Sequence, residues 1–430
     1  MTRFLAGVCA AFVCVLIALC PLRADVVPGD VIDATNWQKA AELLPESILN
    51  WVKNGDFVLN VGELEYDQKD YFPPDVRKCW QDNLGRYDLD EQDRLIDVKT
   101  GRPPDHIYGI PFPQIDPKDP KAGQKLLYNK NYSMFCVGNV TAPNQTKWVG
   151  RSGVEREISS VFMNAPMDGY EKTLGQPNTE NIERYTLISV TQPYDVAGFA
   201  VLMWRYRDER PDLNWSYVPA IRRVRRMSPA NRSDAFVGSD FCIDDVWSYD
   251  GKINLMSWKL VGIQEGLLPY ATTKPELFVP VETGEWQTSP DVTPHVYGYQ
   301  KEGWKGAPWA PVNFVWVKRP IWILEAVSKD PYYNYGKQVF WCDPEIFNPA
   351  IKIIYDRAGA YWKTFYGSLS ALGSADGKMR VHMVSMQNIV DDRSRHATLC
   401  EVASKRNIWT YFAILDMNDF TLAGFQKYCK

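Results

Sequence analysis

Residues 254–263, NLMSWKLVGI, decide the fold class, because their side chains alternate between two faces of an extended chain. Met256 and Trp258 fall on one face, whereas Ser257 and Lys259 fall on the other. Alternation with a period of two residues is typical of a β-strand that buries one face and leaves the other in water. The stretch therefore predicts a strand against an apolar core.

Similar short stretches recur through the C-terminal two thirds of the chain, at a spacing typical of hairpins. Helical patterns are few there, at residues 240–247 and 419–425, and no βαβ alternation or phosphate-binding glycine signature is present. We therefore predict a mainly β fold, a strongly curved antiparallel sheet or half-barrel closed by short helices. The predicted strands are residues 186–190, 198–206, 215–218, 221–227, 314–317, 321–327, 337–341, 351–355, 360–366 and 379–386.

The region before residue 181 has a different character. Residues 109–120, GIPFPQIDPKDP, contain four prolines, which remove backbone donors and fix φ, so this segment cannot form a regular helix. We predict either an ordered surface strap or a loop laid across another part of the fold. The expected division is a helical and Pro-rich extension over residues 25–180 that wraps an antiparallel β domain over residues 181–430, both within one compact unit.

The first 24 residues have the pattern of a cleavable signal peptide. Arg3 supplies a positive charge, an uncharged apolar run extends from Phe4 to Cys20, and the small residue Ala24 offers a cleavage point. The apolar run is shorter than the ~20 residues that a membrane-spanning helix needs. We expect cleavage near Ala24 and export of the chain, with an uncleaved N-terminal anchor as the alternative.

Charge excludes one broad class of function. The 430 residues include 48 basic and 52 acidic side chains, a net charge of −4 that becomes −6 once Arg3 and Arg23 leave with the signal. Nucleic-acid binding depends on neutralising phosphates with basic side chains, so a mildly acidic chain is a poor candidate for it.

Cysteines and glycosylation motifs bear on the environment of the protein. Six cysteines remain after the signal, and an even number in an exported chain indicates disulfides, although six cysteines allow 15 pairings and free thiols are the alternative. A Cys400–Cys429 bridge is favoured because it would fasten the last segment. The six are Cys79, Cys136, Cys242, Cys342, Cys400 and Cys429. Five Asn-x-Ser/Thr motifs would accept glycans only in a eukaryotic host; they begin at Asn131, Asn139, Asn144, Asn214 and Asn231.

Catalytic and metal-binding motifs are missing from the sequence. The four histidines lack the spacing of metal ligands, and no nucleophile elbow occurs. Carboxylate pairs such as Asp244–Asp245, Asp391–Asp392 and Glu63–Glu65 could serve a glycosidase, but such pairs are more often solvated or salt-bridged. We expect no catalytic residues, no metal and no cofactor.

A run of arginines stands out on one predicted strand. It offers a docking site for a phosphate or an acidic partner. The alternative is that its arginines form a salt-bridge network with aspartates downstream, which could return across a hairpin. The residues concerned are Arg222, Arg223, Arg225 and Arg226, and the aspartates include Asp234, Asp240, Asp244 and Asp245.

Several segments resemble a family of bacterial proteins. The chain is similar to the domain of unknown function 1329 family, within the outer-membrane lipoprotein-sorting (LolA/LolB-like) superfamily. The resemblance extends over roughly residues 31–363 and is carried by residues 111–113, 119–123, 125–129, 219–226, 232–234, 238–241, 244–245, 319–325, 329–331, 355–359 and 362–363.

This resemblance implies a curved sheet around an apolar cavity that holds acyl chains or other hydrophobic molecules in the periplasm. It also implies a membrane transporter of hydrophobic compounds as a partner. Candidate cavity residues on the predicted strands are Trp204, Trp258, Trp316 and Trp322, with ordinary core packing as the alternative for each. The chain is about twice as long as the lipoprotein carriers. An envelope assembly module without a ligand and a secreted hydrolase remain alternative functions.

Overall fold

The computed structural model describes residues 25–170, 177–401 and 404–429, except for the side chains of Pro229 and Ala230. The predicted signal peptide lies outside the described residues. The α-helices are α1 (Glu46–Lys53), α2 (Pro74–Asn83), α3 (Ala122–Phe135) and α4 (Leu422–Phe425). The 3₁₀ helices are Trp37–Ala40, Gln68–Asp70, Pro219–Ile221, Pro229–Ser233, Phe236–Gly238, Ile243–Asp245, Ile253–Leu255, Gly298–Gln300, Met417–Phe420 and Gln426–Tyr428.

Strands make up most of the ordered structure. They are β1 (Val31–Ile32), β2 (Leu59–Gly62), β3 (Tyr87–Leu89), β4 (Leu95–Asp97), β5 (Val140–Gly150), β6 (Gly153–Pro166), β7 (Ile182–Gln192), β8 (Ala200–Tyr206), β9 (Leu213–Val218), β10 (Arg223–Met227), β11 (Met256–Tyr270), β12 (Glu276–Pro280), β13 (Trp286–Thr288), β14 (Val315–Ser328), β15 (Tyr335–Asp343), β16 (Asn348–Asp356), β17 (Tyr361–Gly373), β18 (Arg380–Asp391), β19 (His396–Glu401) and β20 (Thr410–Tyr411).

One long antiparallel sheet dominates the fold. Its strands follow the order β11–β14–β15–β16–β17–β18–β19–β5–β6–β7–β8–β9–β10. The short strands β12, β13 and β20 connect β17 back to β5, which curls the sheet on itself. The prediction of a mainly β fold with a strongly curved sheet is confirmed. The sheet also contains parallel pairs, between β2 and β14 and between β12 and β17, that the prediction lacked.

The alternation in residues 254–263 has the predicted structural consequence. In β11, Met256 and Trp258 are buried, whereas Ser257 and Lys259 are exposed. The register against β14 shifts between Leu260 and Gly262, so the strand bulges there and then continues to Tyr270.

The first part of the chain does not simply wrap the sheet. Strands β5 and β6 lie in the middle of the sheet order, although the expected division placed them in the N-terminal extension. Residues 109–120 form no helix or strand, as predicted, but Ile110 and Phe112 are buried rather than laid on the surface. The Asn129 side chain of α3 accepts from the Phe112 N–H at 2.9 Å and donates to its carbonyl at 2.6 Å, which compensates for the missing backbone pairing.

Candidate functional site

An apolar cavity of about 100 Å³ lies between the curved sheet and residues 236–247, which we call the wall segment. Strands β5, β6, β7, β18 and β19 supply the other side. The lining residues are Asn144, Thr146, Ser160, Phe162, Ile188, Phe236, Ser239, Phe241, Cys242, Ile243, Val246, Trp247, Gln387, Cys400 and Trp409. Nearly half of them come from the wall segment, so its position determines the volume of the cavity.

The polar groups in this lining are already engaged with one another. Ser160 Oγ donates to Asn144 Oδ1 at 2.8 Å, and the Trp247 backbone N–H donates to Gln387 Oε1 at 2.5 Å. Burial raises the pKa of Cys400 to about 11, so its thiol is a neutral, weakly polar surface. A ligand in this cavity therefore meets hydrocarbon and aromatic rings rather than free hydrogen-bonding groups.

The wall segment begins and ends in left-handed backbone. Val237 has φ of 50° near its start, and Trp247 has φ of 50° at its end, followed by Ser248 at 69°. Left-handed backbone is costly for a β-branched or bulky residue and persists only where surrounding contacts impose it. The conformation of the wall segment is therefore imposed by its contacts with the rest of the fold rather than by the backbone preference of its residues.

Asp240 supplies many of those contacts. Its carboxylate accepts from Thr398 Oγ1 at 2.8 Å and lies 2.6 Å from His396 Nδ1, both on β19. The buried Lys363 ammonium donates to its carbonyl at 2.7 Å. The hydrogen bond to Asp240 raises the pKa of His396, since it favours the charged imidazolium. Asp240 thus ties the wall segment to the edge of the cavity.

The four tryptophans proposed from the sequence lie elsewhere. Trp258 and Trp322 belong to one apolar cluster, and Trp316 belongs to another around α1. Trp204 lies against Trp215 and donates to the Phe420 carbonyl at 2.7 Å. None of the four lines the cavity, because their strands direct them into packed layers of the fold.

The arginine run and the aspartates are separated in the structure. Arginines 222, 223, 225 and 226 are exposed at or beside β10, and their guanidinium groups form no hydrogen bond or ion pair with the described residues. The proposed salt-bridge network between the run and the aspartates is therefore wrong. The reason is topological: β10 pairs only with β9 among the described strands and lies at the sheet edge, whereas Asp240, Asp244 and Asp245 belong to the wall segment and Asp234 bonds to Asn231 and Asn334.

Two of these aspartates have other buried partners. Asp244 accepts from Arg232 Nε at 2.6 Å, and Asp245 accepts from Lys352 Nζ at 2.5 Å and from the Tyr335 hydroxyl at 2.8 Å. Burial acts to raise the pKa of Asp245, but the charge and hydrogen bond of Lys352 together with the hydrogen bond from the Cys242 N–H outweigh it, so the pKa is lowered. These carboxylates are engaged in fixed ion pairs and do not face a cleft.

The cysteines also depart from expectation. The described residues contain no disulfide between any of these six cysteines, so the predicted disulfide is not found. Cys400 faces the cavity from β19, whereas Cys429 belongs to the cluster around α4 on the other face of the sheet, which keeps them unpaired. Among the motif asparagines, Asn214 is buried and Asn144 lines the cavity, so neither position suits a glycan.

Membrane-spanning helices and metal-binding clusters are absent from the described residues. No helix there is sufficiently long and apolar to span a bilayer. The same residues hold no cluster of three or more His, Cys, Asp or Glu side chains suited to a metal ion.

Comparison with known proteins identifies the family. Three solved structures are similar in part. A domain from Vibrio parahaemolyticus described as outer membrane lipoprotein-sorting is 17% identical, with a TM-score of 0.48, over 73% of this chain and 100% of that chain. A DUF1329 family protein from Desulfovibrio piger ATCC 29098 is 18% identical, with a TM-score of 0.47, over 71% and 99%. A LolA superfamily protein from Nitrosomonas europaea is 13% identical, with a TM-score of 0.40, over 70% and 98%.

No match was found among curated proteins. A family model described as "Protein of unknown function (DUF1329)" matches residues 31–424. That match extends from the first strand to the last α-helix of the fold, and this chain therefore belongs to the DUF1329 family.

Proposed function

We propose that this protein binds a lipid or another hydrophobic molecule in its cavity and carries it through the periplasm for envelope transport. The supporting observation is the lining itself, in which polar groups bond to one another and leave apolar surface for a ligand. Removing apolar area from water contributes roughly 25 cal/mol per Å², which is sufficient to hold a hydrophobic molecule without specific polar contacts.

The size of the cavity indicates how binding proceeds. Pockets for drug-sized ligands usually hold about 300–1,000 Å³, several times the volume of about 100 Å³ found here. The cavity in this conformation accepts a single ring or a short length of chain. A full lipid is larger than this space, so binding one requires the wall segment or other lining side chains to shift against the contacts that hold them.

The direct test is native mass spectrometry of protein purified from its own periplasm, followed by extraction into organic solvent. We expect a hydrophobic molecule at close to one equivalent. An apo mass, together with failure to take up the fluorescent probe N-phenyl-1-naphthylamine, would contradict the proposal and favour an assembly module with a filled core.

A cavity-blocking variant gives the first prediction. Ile188→Trp places an indole in the cavity and is expected to weaken binding of N-phenyl-1-naphthylamine at least tenfold, since the probe loses its apolar contacts. Val161→Trp is the matched control, because Val161 is also partly buried but packs on the opposite face of the same sheet. Equal affinity of the two variants in fluorescence titration would show that the probe binds elsewhere.

The exposed arginine run supports a proposal about the partner. We infer that it docks against an acidic surface of a membrane transporter. In β10, Arg223 and Arg225 point to one face, whereas Arg226 points to the other, opposite Trp215 of β9. A flat bilayer could contact only one of these faces, whereas a protein groove can contact both.

The charge-reversal variant Arg225→Glu/Arg226→Glu tests this inference. Binding of an acidic decapeptide of Asp and Glu should fall about tenfold, and the wild-type affinity should weaken with added salt. Lys305→Glu/Arg357→Glu, also exposed but distant in sequence, should change binding little. If vesicles of phosphatidylglycerol bind the run and the peptide does not, docking to a protein partner is wrong.

A further inference from the structure

A second chamber of about 60 Å³ adjoins the apolar cavity. Trp247 and Trp409 line both spaces, so these two rings form the partition between them. The second chamber is lined by Lys130, Ser133, Met134, Val137, Val140, Asn164, Trp247, Ile346, Asn348, His382, Met383, Val384, Trp409 and Tyr411. Neither chamber is lined by a carboxylate, and the second differs from the first in that a cationic side chain lines it.

The cation is Lys130, in the middle of α3. It is 2% exposed and forms no ion pair with the described residues. Its Nζ donates to the Tyr249 carbonyl at 2.6 Å and lies 3.4 Å from Asn131 Oδ1. The ammonium therefore makes one short hydrogen bond and one long one. Burial lowers its pKa to about 7, against the opposing attraction of Asp250. A buried charge is normally paired with an opposite charge. The Lys130 ammonium is an exception, because no carboxylate of the described residues lies within ion-pair distance of it.

The remaining polar groups of the chamber do not supply that anion. Burial lowers the pKa of His382 to about 4, which keeps its imidazole neutral, and Asn348 and Asn164 carry no charge. Lys352, by comparison, is also fully buried and has its carboxylate, Asp245, at 2.5 Å. The fold therefore neutralises Lys352 with a carboxylate of its own, whereas Lys130 lines the second chamber without one.

On the basis of the proposed carrier function, we propose that the second chamber binds the carboxylate of an amphiphilic cargo at Lys130, with the hydrocarbon chain of that cargo in the apolar cavity. The ligand class is thus a fatty-acid-like carboxylate rather than a neutral hydrocarbon or an amine. The small volume suits a carboxylate better than a phosphodiester with a bulky head group. The chain of such a ligand passes between Trp247 and Trp409, so the two rings must separate on binding.

The experiment compares decanoate, decanol and decylamine, which share one chain and differ in head group. Isothermal titration calorimetry on the wild-type protein should give affinities in the order acid, alcohol, amine. The acid should bind about 10- to 100-fold more tightly than the alcohol, as a charge-assisted hydrogen bond provides. Lys130→Gln should reduce that preference to less than threefold while decanol binding remains.

Lys252→Gln is the matched control. Lys252 is 8% exposed and donates only to backbone carbonyls, of Asp208 and Arg210, but it lines neither chamber. It should keep the full preference for the acid. If Lys130→Gln does not fold, as judged by circular dichroism, the order of the three affinities on the wild-type protein still tests the carboxylate site.

The outcomes separate this inference from the carrier proposal. Equal binding of decanoate and decanol, or a preference that Lys130→Gln leaves intact, would overturn the carboxylate site while the carrier function stands. Failure of all three ligands and of N-phenyl-1-naphthylamine to bind would overturn both.

Discussion

Replacing Lys352 with methionine is expected to reduce the free energy of unfolding by about 3–5 kcal/mol. Lys352 and Asp245 are both fully buried, with Nζ and Oδ1 2.5 Å apart. Removing the ammonium leaves the Asp245 carboxylate in the interior with only the Tyr335 hydroxyl and the Cys242 backbone N–H as donors. An uncompensated buried charge is among the most costly single changes that a folded protein can suffer.

Urea denaturation followed by tryptophan fluorescence measures this effect. Lys337→Met is the control, because Lys337 forms an exposed pair with Glu325 at 3.4 Å and should cost less than about 1 kcal/mol. A loss below 1 kcal/mol for Lys352→Met would mean that the pair contributes little.

The same pair gives stability a pH dependence. The pKa of Asp245 is lower in the folded state than in the unfolded chain, so its contribution is present above about pH 4 and is lost as the pH falls through the folded value. In Lys352→Met the carboxyl group loses the cation that favours its charged form. Unfolding of this variant should therefore be less sensitive to acid over that range.

Replacing Trp409 with alanine is expected to lower the unfolding free energy by about 3–5 kcal/mol and to merge the two chambers. Trp409 is 5% exposed, and its Nε1 donates to the Pro143 carbonyl at 3.1 Å, a hydrogen bond that the variant loses. Because the indole is half of the partition, its loss creates a wider space. The four-ring hydrocarbon pyrene should bind at least tenfold more tightly than to the wild type.

Trp309→Ala separates the two effects of that substitution. Trp309 is 1% exposed and lies in the apolar cluster around α1, away from both chambers. It should lose comparable stability in urea denaturation and gain no affinity for pyrene by fluorescence titration. A similar gain in both variants would mean that pyrene binds to loosened structure in general.

The sequence predicts the sheet well where strands are long and alternating, as in β11. Alternation of apolar and polar residues predicts which face of a strand is buried. Met256 and Trp258 are on the predicted apolar face of β11, and both are buried. The short strands that curl the sheet escape detection, because Thr410–Tyr411 has only two residues and no period. The predicted division places β5 and β6 in the extension, because chain order does not show that β5 pairs with β19.

The cavity was harder to predict than the fold. Residues 240–247 suggested a helix, but the segment contains only the 3₁₀ turn Ile243–Asp245, since its backbone is set by contacts with β19 and β18. Trp247 and Trp409 carry no local pattern that distinguishes a partition from a packed core. Nothing in the sequence sets Lys130 apart from the other lysines, and only the structure shows that α3 is buried along both sides.

The pairing of β5 with β19 has a consequence for the order in which the polypeptide can assemble. Lys147 and Glu401 lie 254 positions apart and form an ion pair across this junction. Until the ribosome has added β19, the β5 edge has no neighbour on that side, and the nascent sheet stays open at its centre. Such non-local contacts slow folding and expose edges to other chains. Newly made molecules therefore keep a strand edge that can pair with other chains until β19 is in place.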